Sequence, residues 1–291
     1  MQSSPRLPLV SIGMPAYNCE RTVVASVRSI LKQSFQDWEL LVMDDGSADR
    51  TLEMVRSFQD SRIKMHADGK HLGLVPRLNQ AVVMSDGKYF ARMDADDVAY
   101  PERLERQMDY LRRHPAIDVV ACGLVVFGEG GLALGTRRFE QCHDAICSRP
   151  WAGFPMPHPT WMGRTEWFRT HPYDARAVRA EDQVLLLRSY RNSRFACLPE
   201  ILQGYQESRL VLRSILRGRF SFTQAVFGEY WSRGAYFTAL CGTMEQSAKA
   251  VLDILAITTG LNYRILRHRA LPTAEYAVRR WSDVWLEVKE A

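Results

Sequence analysis

The chain has 291 residues, of which 46% are hydrophobic and 24% are charged, as in an ordinary globular protein. Its net charge of +5 is too small for a nucleic-acid-binding surface, so we expect no nucleic-acid partner. No uncharged apolar run approaches the roughly 18 residues of a membrane-spanning helix. Residues 205–291 carry 12 Lys/Arg against 8 Asp/Glu, a net +4 that is compatible with contact to an anionic membrane surface.

The N-terminus and the cysteines bear on the compartment. Residues 1–8 contain no apolar core, so we expect no signal peptide. The six cysteines form no Cys-x-x-Cys pair and no zinc-binding pattern, which favours reduced and mostly buried thiols. We therefore expect a cytoplasmic protein, with the inner face of the membrane as a further site if the basic C-terminal segment contacts lipid.

Strands and helices alternate from residue 9 to residue 114. Compact apolar runs predict strands at 9–14, 38–43, 62–66 and 88–93. Helical spacing of apolar residues predicts helices at 19–32, 51–58, 73–84 and 101–114. This alternation is typical of a Rossmann-like, mostly parallel sheet flanked by crossover helices.

The second half of the chain is less regular. We predict strands at 119–127, 132–138, 160–163, 194–198 and 201–205, and helices at 141–149, 165–170 and 183–190. Between them, the proline-rich aromatic segment 151–159 is typical of a shaped loop. After Tyr205 the pattern predicts only helices, at about 208–217, 220–240, 243–258 and 273–288. We therefore expect an α/β domain over residues 1–206 and a helical C-terminal extension over residues 207–291.

An acidic cluster follows the predicted strand 88–93. Asp94, Asp96 and Asp97 stand where that strand ends. Ligands of open α/β sheets bind at the carboxyl ends of the strands, and carboxylate oxygens suit Mg²⁺ or Mn²⁺. The cluster therefore predicts a divalent metal that holds a phosphate-bearing ligand. A solvated Asp-rich turn with a helix cap explains the same spacing.

Other polar residues are candidates for the same crevice. Asp45, at the end of the second strand, can accept hydrogen bonds from a nucleotide, although a helix-capping turn explains it too. Glu181 and Asp182 begin a helix and include a candidate general base, although the helix dipole also favours acids there. Two less specific candidates are His158, as a phosphate or acceptor contact or a structural histidine, and Arg77, as a crevice residue or an exposed polar residue of its helix.

Four motifs in order resemble those of the family-2 inverting glycosyltransferases, over residues 8–206. They are Val10-Ser-Ile-Gly-Met-Pro-Ala-Tyr-Asn18, Leu40-Leu-Val-Met-Asp-Asp-Gly-Ser47, Gly87-Lys-Tyr-Phe-Ala-Arg-Met-Asp-Ala-Asp-Asp97 and Ala180-Glu-Asp182. The resemblance implies a nucleotide-sugar-binding fold of the GT-A type that uses a divalent metal.

The resemblance also implies roles for individual residues. Pro15, Tyr17 and Asp45 would line the nucleobase and ribose pocket. Asp94 and Asp96 match the Asp-x-Asp motif, with Asp96 as the direct metal ligand. Asp182 matches the general base and Glu181 its neighbour. His158 matches more loosely a histidine that precedes a short strand in related sequences.

The implied reaction is a single displacement at the anomeric carbon. Asp182 would take the proton of the acceptor hydroxyl, while the metal offsets the charge on the leaving nucleotide. We expect a nucleotide-diphosphate sugar as donor, with uridine as the family's commonest base. We expect a carbohydrate or lipid-linked glycan as acceptor, in bacterial-type polysaccharide or glycolipid assembly, bound by residues 151–180 and the C-terminal extension.

Two other classes of function remain open at this point. One is a catalytically silent nucleotide-sugar-binding scaffold that keeps the fold, and the other is a metal-dependent nucleotidyltransferase or phosphohydrolase. The chain has no Gly-x-Gly-x-x-Gly after the first strand and no phosphate-loop motif, which argues against dinucleotide oxidoreductases and P-loop enzymes.

The C-terminal extension lies outside the shared motifs. Arg209, Arg213 and Arg217 fall four residues apart and so share one helix face beside an apolar side. This pattern indicates a membrane-surface docking element. A helical cap packed on the core, or a dimer contact, explains the segment equally well.

Overall fold

The computed structural model describes residues 7–207, 211–259 and 270–290. In these ranges a mixed, mostly parallel sheet is flanked by helices. Its strands are β1 Val10–Ala16, β2 Trp38–Asp44, β3 Ile63–Ala67, β4 Tyr89–Arg92, β5 Val98–Ala99, β6 Val119–Phe127, β7 Ala133–Arg137, β8 Met162–Arg164, β9 Phe195–Gln206 and β10 Ala270–Leu271. The helices are α1 Val23–Leu31, α2 Thr51–Arg56, α3 Leu74–Met84, α4 Arg103–Arg113, α5 His143–Ile146, α6 Thr165–Thr170, α7 Glu181–Ser189, α8 Leu212–Ser232, α9 Tyr236–Thr258 and α10 Glu275–Glu290.

The strand order places a crevice beside β1. The sheet runs β10-β7-β6-β8-β4-β1-β2-β3, with β9 parallel to β6 and β5 antiparallel to β9. The strands β4, β1, β2 and β3 are parallel, and β8 runs antiparallel between β4 and β6. The chain proceeds outward from β1 through β2 to β3 and then returns to β4 on the other side of β1. This reversal opens a crevice at the carboxyl ends of β1 and β4, where open α/β sheets bind their ligands.

The central strands are apolar on both faces because helices cover both faces of the sheet. Successive side chains of a strand point to opposite faces. Accordingly Leu40 and Val42 of β2 join the core beneath α1 and α4, whereas Leu41 and Met43 join the core beneath α3, α6 and α7. The sheet thus lies between two layers of helices, as the alternation of elements predicts.

Three sequence predictions differ from the structure. The two strands predicted at 194–198 and 201–205 form one strand, β9, whose register against β6 shifts around Gly123 to accommodate Pro199 and its neighbour. The predicted breaks between the C-terminal helices are misplaced: residues 218–219 lie inside α8, the chain turns instead at Gly234 with a positive φ of 74°, and residues 241–242 lie inside α9. The two-residue strand β5 was not predicted, since it is too short to show periodicity.

Some expectations concern residues beyond the described ranges or need correction. The expectation of no signal peptide rests largely on residues 1–6, and the arginine stripe includes Arg209; both lie outside the described residues. The six cysteines are free, but Cys142 and Cys241 are exposed, so the expectation of mostly buried thiols is wrong for these two. None of the helices in the described ranges combines the length and the hydrophobicity of a membrane-spanning segment.

The C-terminal helices pack against the α/β core. The indole of Trp281 on α10 is fully buried, 4.7 Å from the Phe127 ring between centroids, and its Nε1 donates to the Gly131 carbonyl over 2.7 Å. On the other side of the crevice, α8 and α9 form an antiparallel hairpin whose buried residues Phe222 and Val226 join the core that contains α7. Residues of α8 and α9 therefore form part of the crevice wall, whereas α10 packs on the sheet away from it.

Candidate active site

Asp45 ties the end of β2 to the segment before α3. The residue is 4% exposed, and its Oδ1 accepts hydrogen bonds from Leu72 N at 2.7 Å and Arg77 Nε at 3.0 Å. Its Oδ2 accepts from Gly73 N at 2.9 Å and lies 2.9 Å from His71 Nδ1. The carboxylate therefore holds the segment 71–73, which leads directly into Leu74 of the crevice wall, whereas Asp45 itself does not line the crevice.

Arg77 supports this wall from behind. The side chain is fully buried, so the interpretation of Arg77 as an exposed polar residue of its helix is wrong. Its guanidinium donates to Asp45, to Asp68 at 2.7 Å, to Gln80 Oε1 at 2.9 Å and to the Lys70 carbonyl. These contacts link β2, α3 and the intervening loop, and they hold the pKa of Asp68 well below its usual range.

A first cavity lies between the ends of β1 and β4. Its volume is about 680 Å³, and Pro15, Tyr17, Asp94 and Asp96 are among its lining residues. The half-exposed Tyr17 ring lies 4.4 Å from the His71 ring between centroids. Aromatic faces of this kind stack on planar groups such as nucleobases. We call this space the donor cavity.

The acids of the Asp-x-Asp motif differ in their partners. Asp94 accepts two hydrogen bonds from Arg92 Nη2, at 2.8 and 2.9 Å. Asp96 projects into the donor cavity, and no ion pair engages it within the described part of the chain. Desolvation inside the cavity and the neighbouring Asp94 carboxylate raise the pKa of Asp96 to about 6. Arg92 balances the charge of only one of the two carboxylates, Asp94 and Asp96, so the pair can bind a further positive charge.

The carboxylates of Asp94 and Asp96 fit a divalent cation that takes most of its ligands from phosphate and water. The described residues contain no cluster of three or more His, Cys, Asp or Glu side chains with metal-ligand geometry. Mg²⁺ is usually held by one or two carboxylates, with phosphate and water completing the coordination. Asp96, with Asp94 beside it, matches that pattern of incomplete protein coordination.

Asp97 has a different role from its two neighbours. The residue is fully buried and accepts hydrogen bonds from Gln203 Nε2 at 2.6 Å and Gln206 N at 3.0 Å. Burial raises its pKa well above the usual range. Asp97 therefore ties the end of β4 to β9 and does not face either cavity.

A second cavity of about 790 Å³ adjoins the first. It is lined by Glu181 and Asp182 at the start of α7 and by residues of α8 and α9. The side chain of Asp182 accepts a hydrogen bond from Gln183 Nε2 at 2.9 Å, and Gln183 Oε1 accepts one from Phe154 N at 2.7 Å. Burial and the adjacent Asp182 raise the pKa of Glu181 to about 7. We call this space the acceptor cavity.

His158 lines the acceptor cavity and is absent from the lining of the donor cavity among the described residues. The ring is buried, with Nε2 2.9 Å from the Tyr173 hydroxyl and the ring edge against Trp161. Burial and then the positive charge of Arg92 lower the pKa of His158 well below its usual range. His158 is therefore a neutral imidazole held by neighbouring aromatic residues.

The two cavities meet at a shared wall. Six residues line both: Leu74, Arg92, Asp94, Asp96, Arg179 and Gln206. Leu74, Arg179 and Gln206 were not singled out in the sequence. The nearest sequence signal was the position of Arg179 directly before Ala180-Glu-Asp182, while Leu74 and Gln206 had none.

Arg179 has an unusual backbone. Its φ is 63°, in the left-handed region that non-glycine residues rarely adopt. The helix α8 approaches it closely, because a Cβ atom at Gly218 would lie 2.6 Å from the Arg179 carbonyl oxygen. The position of Arg179 beside the shared wall thus depends on a glycine in the C-terminal extension.

The sequence pattern of glycosyl transferase family 2 matches residues 11–180, which is more than half of the chain. The chain belongs to this family. It is a glycosyltransferase, and the resemblance drawn from its four motifs is confirmed. The match covers the ends of β1, β2 and β4 and stops directly before Glu181.

Two curated relatives support the assignment of this glycosyltransferase. EpsE of Bacillus subtilis, classed as a glycosyltransferase, is 37% identical over 190 residues, which cover 63% of this chain and 67% of EpsE. The Escherichia coli enzyme WfgD, a UDP-Glc:alpha-D-GlcNAc-diphosphoundecaprenol beta-1,3-glucosyltransferase, is 42% identical over 106 residues, or 36% of this chain and 42% of WfgD. The chain thus spans about two thirds of the first relative and less than half of the second.

A solved structure shows the same fold. The mannosyltransferase PcManGT from Pyrobaculum calidifontis, in complex with GDP-Man and Mn²⁺, superposes with a TM-score of 0.59 at 15% sequence identity. The superposition covers 98% of this chain and 86% of PcManGT. The glycosyltransferase therefore has a GT-A fold, as the motifs predict.

Proposed function

We propose that this glycosyltransferase transfers a sugar from a nucleotide-diphosphate sugar to a hydroxyl group of a carbohydrate or lipid-linked glycan, with inversion at the anomeric carbon. The observation that carries the proposal is the junction of the two cavities at Asp94 and Asp96, with Asp182 on the far side. A donor in one cavity and an acceptor in the other would meet at this wall.

Uridine is the base we propose for the donor, and bacterial-type polysaccharide or glycolipid assembly is the proposed context. WfgD, similar over 106 residues, is named for a UDP-glucose donor and a diphosphoundecaprenol-linked acceptor. PcManGT binds a guanosine donor, but its similarity extends to the fold alone. The aromatic pair Tyr17 and His71 supports base stacking without selecting a base.

The donor cavity is lined by both positive and negative side chains, which supports the binding of a diphosphate together with a metal ion. Arg92 and Arg179 on the shared wall bring positive charge to the phosphate oxygens. Asp96, with Asp94 beside it, would hold Mn²⁺ or Mg²⁺, which when bound supplies Lewis-acid stabilisation of the charge on the leaving nucleotide. Asp45 and Arg77 contribute by holding the wall segment 71–73 rather than through direct contact.

We propose Asp182 as the general base. Its carboxylate lines the acceptor cavity and is oriented by the amide of Gln183. It would take the proton of the acceptor hydroxyl as that oxygen forms its bond to the anomeric carbon. Attack from the acceptor side, opposite the leaving diphosphate, inverts the configuration. With its pKa raised to about 7, Glu181 is only partly ionised near neutral pH and so adds less than a full second negative charge beside the base.

We propose a division into a catalytic domain, residues 1–206, and a helical extension, residues 207–291, that shares in acceptor binding. The support is that Ser214, Ile215 and Arg219 of α8 and Gln246 of α9 line the acceptor cavity. His158, on the facing loop, would contact the acceptor as a neutral hydrogen-bonding group.

Thermal unfolding with nucleoside diphosphates, with and without Mn²⁺, tests the donor site. A ligand that binds only the folded protein raises its melting temperature. We expect a metal-dependent rise with UDP that Asp96→Asn abolishes and that Asp86→Asn, an exposed carboxylate elsewhere, retains. No rise with any nucleotide would contradict the proposal.

Product analysis tests the reaction type. With UDP-glucose and a diphosphoundecaprenol-linked acceptor sugar, we expect UDP as product from the wild type. Asp182→Asn should retain UDP-induced stabilisation and lose at least about a hundredfold in turnover. Pyrophosphate or UMP as product would instead indicate a nucleotidyltransferase or phosphohydrolase, and UDP-sugar binding without turnover of any acceptor would indicate a silent scaffold.

A further inference from the structure

We propose that the α8–α9 hairpin, residues 211–259, binds an anionic lipid surface. The first observation is an uncovered apolar face on α9. Six large apolar side chains there are between 52% and 81% exposed, and their spacing places them along one side of the helix. They are Phe237, Leu240, Met244, Val251, Leu252 and Leu255.

The charged residues of α9 are engaged on its inner side. Glu245 pairs with Arg149 at 2.8 Å and with Lys249 at 2.9 Å, and Asp253 pairs with Arg219 at 2.5 Å. Glu245, Lys249 and Asp253 are each at least partly buried. The outward face of α9 therefore presents apolar and small uncharged residues along its whole described length. Contiguous exposed apolar surfaces of this extent mark interaction sites in water-soluble folds.

Aromatic residues gather at the turn between the two helices. Phe227 stacks on Trp231 at 4.9 Å between centroids, and Trp231 meets Tyr236 edge-on at 4.7 Å. All three rings are partly exposed, from 37% to 53%. Tryptophan and tyrosine are enriched at the headgroup level of membranes, because their rings are apolar and their N–H or O–H groups are polar.

The exposed charges of the hairpin are positive, which favours an anionic lipid surface over a second copy of the chain as its partner. Arg213 and Arg217 are exposed on α8, whereas the acids described in residues 211–259, Glu229, Glu245 and Asp253, are each at least partly buried and ion-paired. An anionic lipid surface attracts these exposed arginines. The hairpin of a second copy would offer them, among its described residues, no acid that is fully exposed and free of an ion pair.

Docking in this manner places the acceptor cavity beside the lipid. The inner side of the hairpin lines that cavity through Ile215, Phe222 and Gln246. A sugar on a membrane lipid would then reach Asp182 without leaving the surface. This consequence rests on the proposed function, whereas lipid binding itself needs no substrate and no activity.

Co-sedimentation of the full chain with vesicles tests the proposal in the absence of substrate. We expect binding to phosphatidylcholine vesicles that contain about a third phosphatidylglycerol, and at least about tenfold weaker binding to phosphatidylcholine alone. Phe237→Ser/Met244→Ser/Leu252→Ser should reduce binding to the anionic vesicles by at least about tenfold, and Arg213→Gln/Arg217→Gln by about tenfold.

A matched control carries serine at two exposed apolar positions away from the hairpin. Val83 and Leu132 are 74% and 68% exposed, and Val83→Ser/Leu132→Ser should bind vesicles like the wild type. Equal binding by the wild type and the triple-serine variant would overturn the proposal. So would a wild-type dimer in light scattering that the triple-serine variant loses, since the face would then belong to a second copy. Unchanged UDP-induced stabilisation in each variant separates lipid binding from the donor site.

Discussion

Arg77 donates its Nε–H to Asp45 Oδ1 over 3.0 Å with its side chain fully buried, so β2 and α3 are joined by an ion pair beneath the crevice. The pair connects residues 32 positions apart and fixes the wall segment 71–73 through the other bonds of Asp45. Removing one member of a buried pair leaves the other charge without compensation.

Arg77→Ala should therefore lower the free energy of unfolding by about 3 kcal/mol, because it leaves Asp45 and Asp68 without their guanidinium partner. Arg50→Ala is the control, since Arg50 is largely exposed in its pair with Glu20, and it should cost less than about 0.5 kcal/mol. Urea unfolding measures both values. A loss below about 1 kcal/mol for Arg77→Ala would show that the backbone donors to Asp45 hold the wall alone.

Stability should depend on pH through Glu181. Its folded pKa of about 7 lies above the ordinary value of 4.5, so the folded protein holds this proton more tightly than the unfolded chain. The resulting loss of stability begins near pH 4.5, grows to about pH 7 and persists above it. Glu181→Gln removes the ionisation and should stabilise the protein at pH 8, relative to pH 4.5, by about 2 kcal/mol.

Urea unfolding of the wild type and Glu181→Gln at the two pH values measures this difference. The control is Glu166→Gln, at a glutamate whose side chain is 74% exposed, and its effect should differ by less than about 0.5 kcal/mol between the two pH values. A variant that is equally stabilised at both pH values would mean that side-chain packing, and not the charge, is responsible.

The α8 glycines provide a matched pair for the Arg179 position. A Cβ at Gly218 would lie 2.6 Å from the backbone carbonyl of Arg179, so Gly218→Ala should cost about 1–3 kcal/mol and lower kcat/KM by displacing Arg179. A Cβ at Gly228 meets nothing within 4 Å, so Gly228→Ala should stabilise the helix by about 0.5–1 kcal/mol and leave kcat/KM unchanged. Equal kinetics for the two variants would contradict a role for Arg179 at the shared wall.

The C-terminal helix α10 should contribute to global stability through Trp281. This side chain is fully buried against Phe127. It packs so closely on Gly204 that a Cβ atom there would lie 2.1 Å from the indole ring. Trp281→Ala should cost about 3–5 kcal/mol, as for other large core truncations. Tyr276→Ala on the same helix, at a residue 77% exposed, should cost less than about 0.5 kcal/mol. Calorimetry that finds equal melting temperatures would show that α10 unfolds independently of the core.

Local patterns in the sequence were sufficient for much of the fold and for the motif residues. The strand predicted at 119–127 and the helix predicted at 165–170 have the observed bounds, because apolar runs and helical spacing are properties of neighbouring residues. Asp96 and Asp182 stand at element ends, and the strand order brings those ends to one crevice. Their chemical roles remain predictions that the variants above test.

The parts that escaped prediction depend on contacts between distant segments. Nothing near Arg77 in the sequence indicates that the helix carries a buried guanidinium, since its partner Asp45 lies on another element. Gln206 of the shared wall is the last residue of β9, and no motif lies near it in the sequence. Gly218 falls between the helices predicted at 208–217 and 220–240, because glycine disfavours a helix interior. In the structure it lies inside α8, where the close approach of the Arg179 backbone leaves no room for a larger residue.

The shared wall also makes the two binding events interdependent. Since Arg92, Asp96 and Arg179 face both cavities, a ligand in one cavity alters the charges that a ligand in the other encounters. Thermodynamic reciprocity requires that the factor by which a bound donor changes the acceptor's dissociation constant equals the factor by which a bound acceptor changes the donor's. If a donor neutralises the arginines and an acceptor shields the carboxylates, each substrate should strengthen the binding of the other by the same factor, through a few side chains common to both sites.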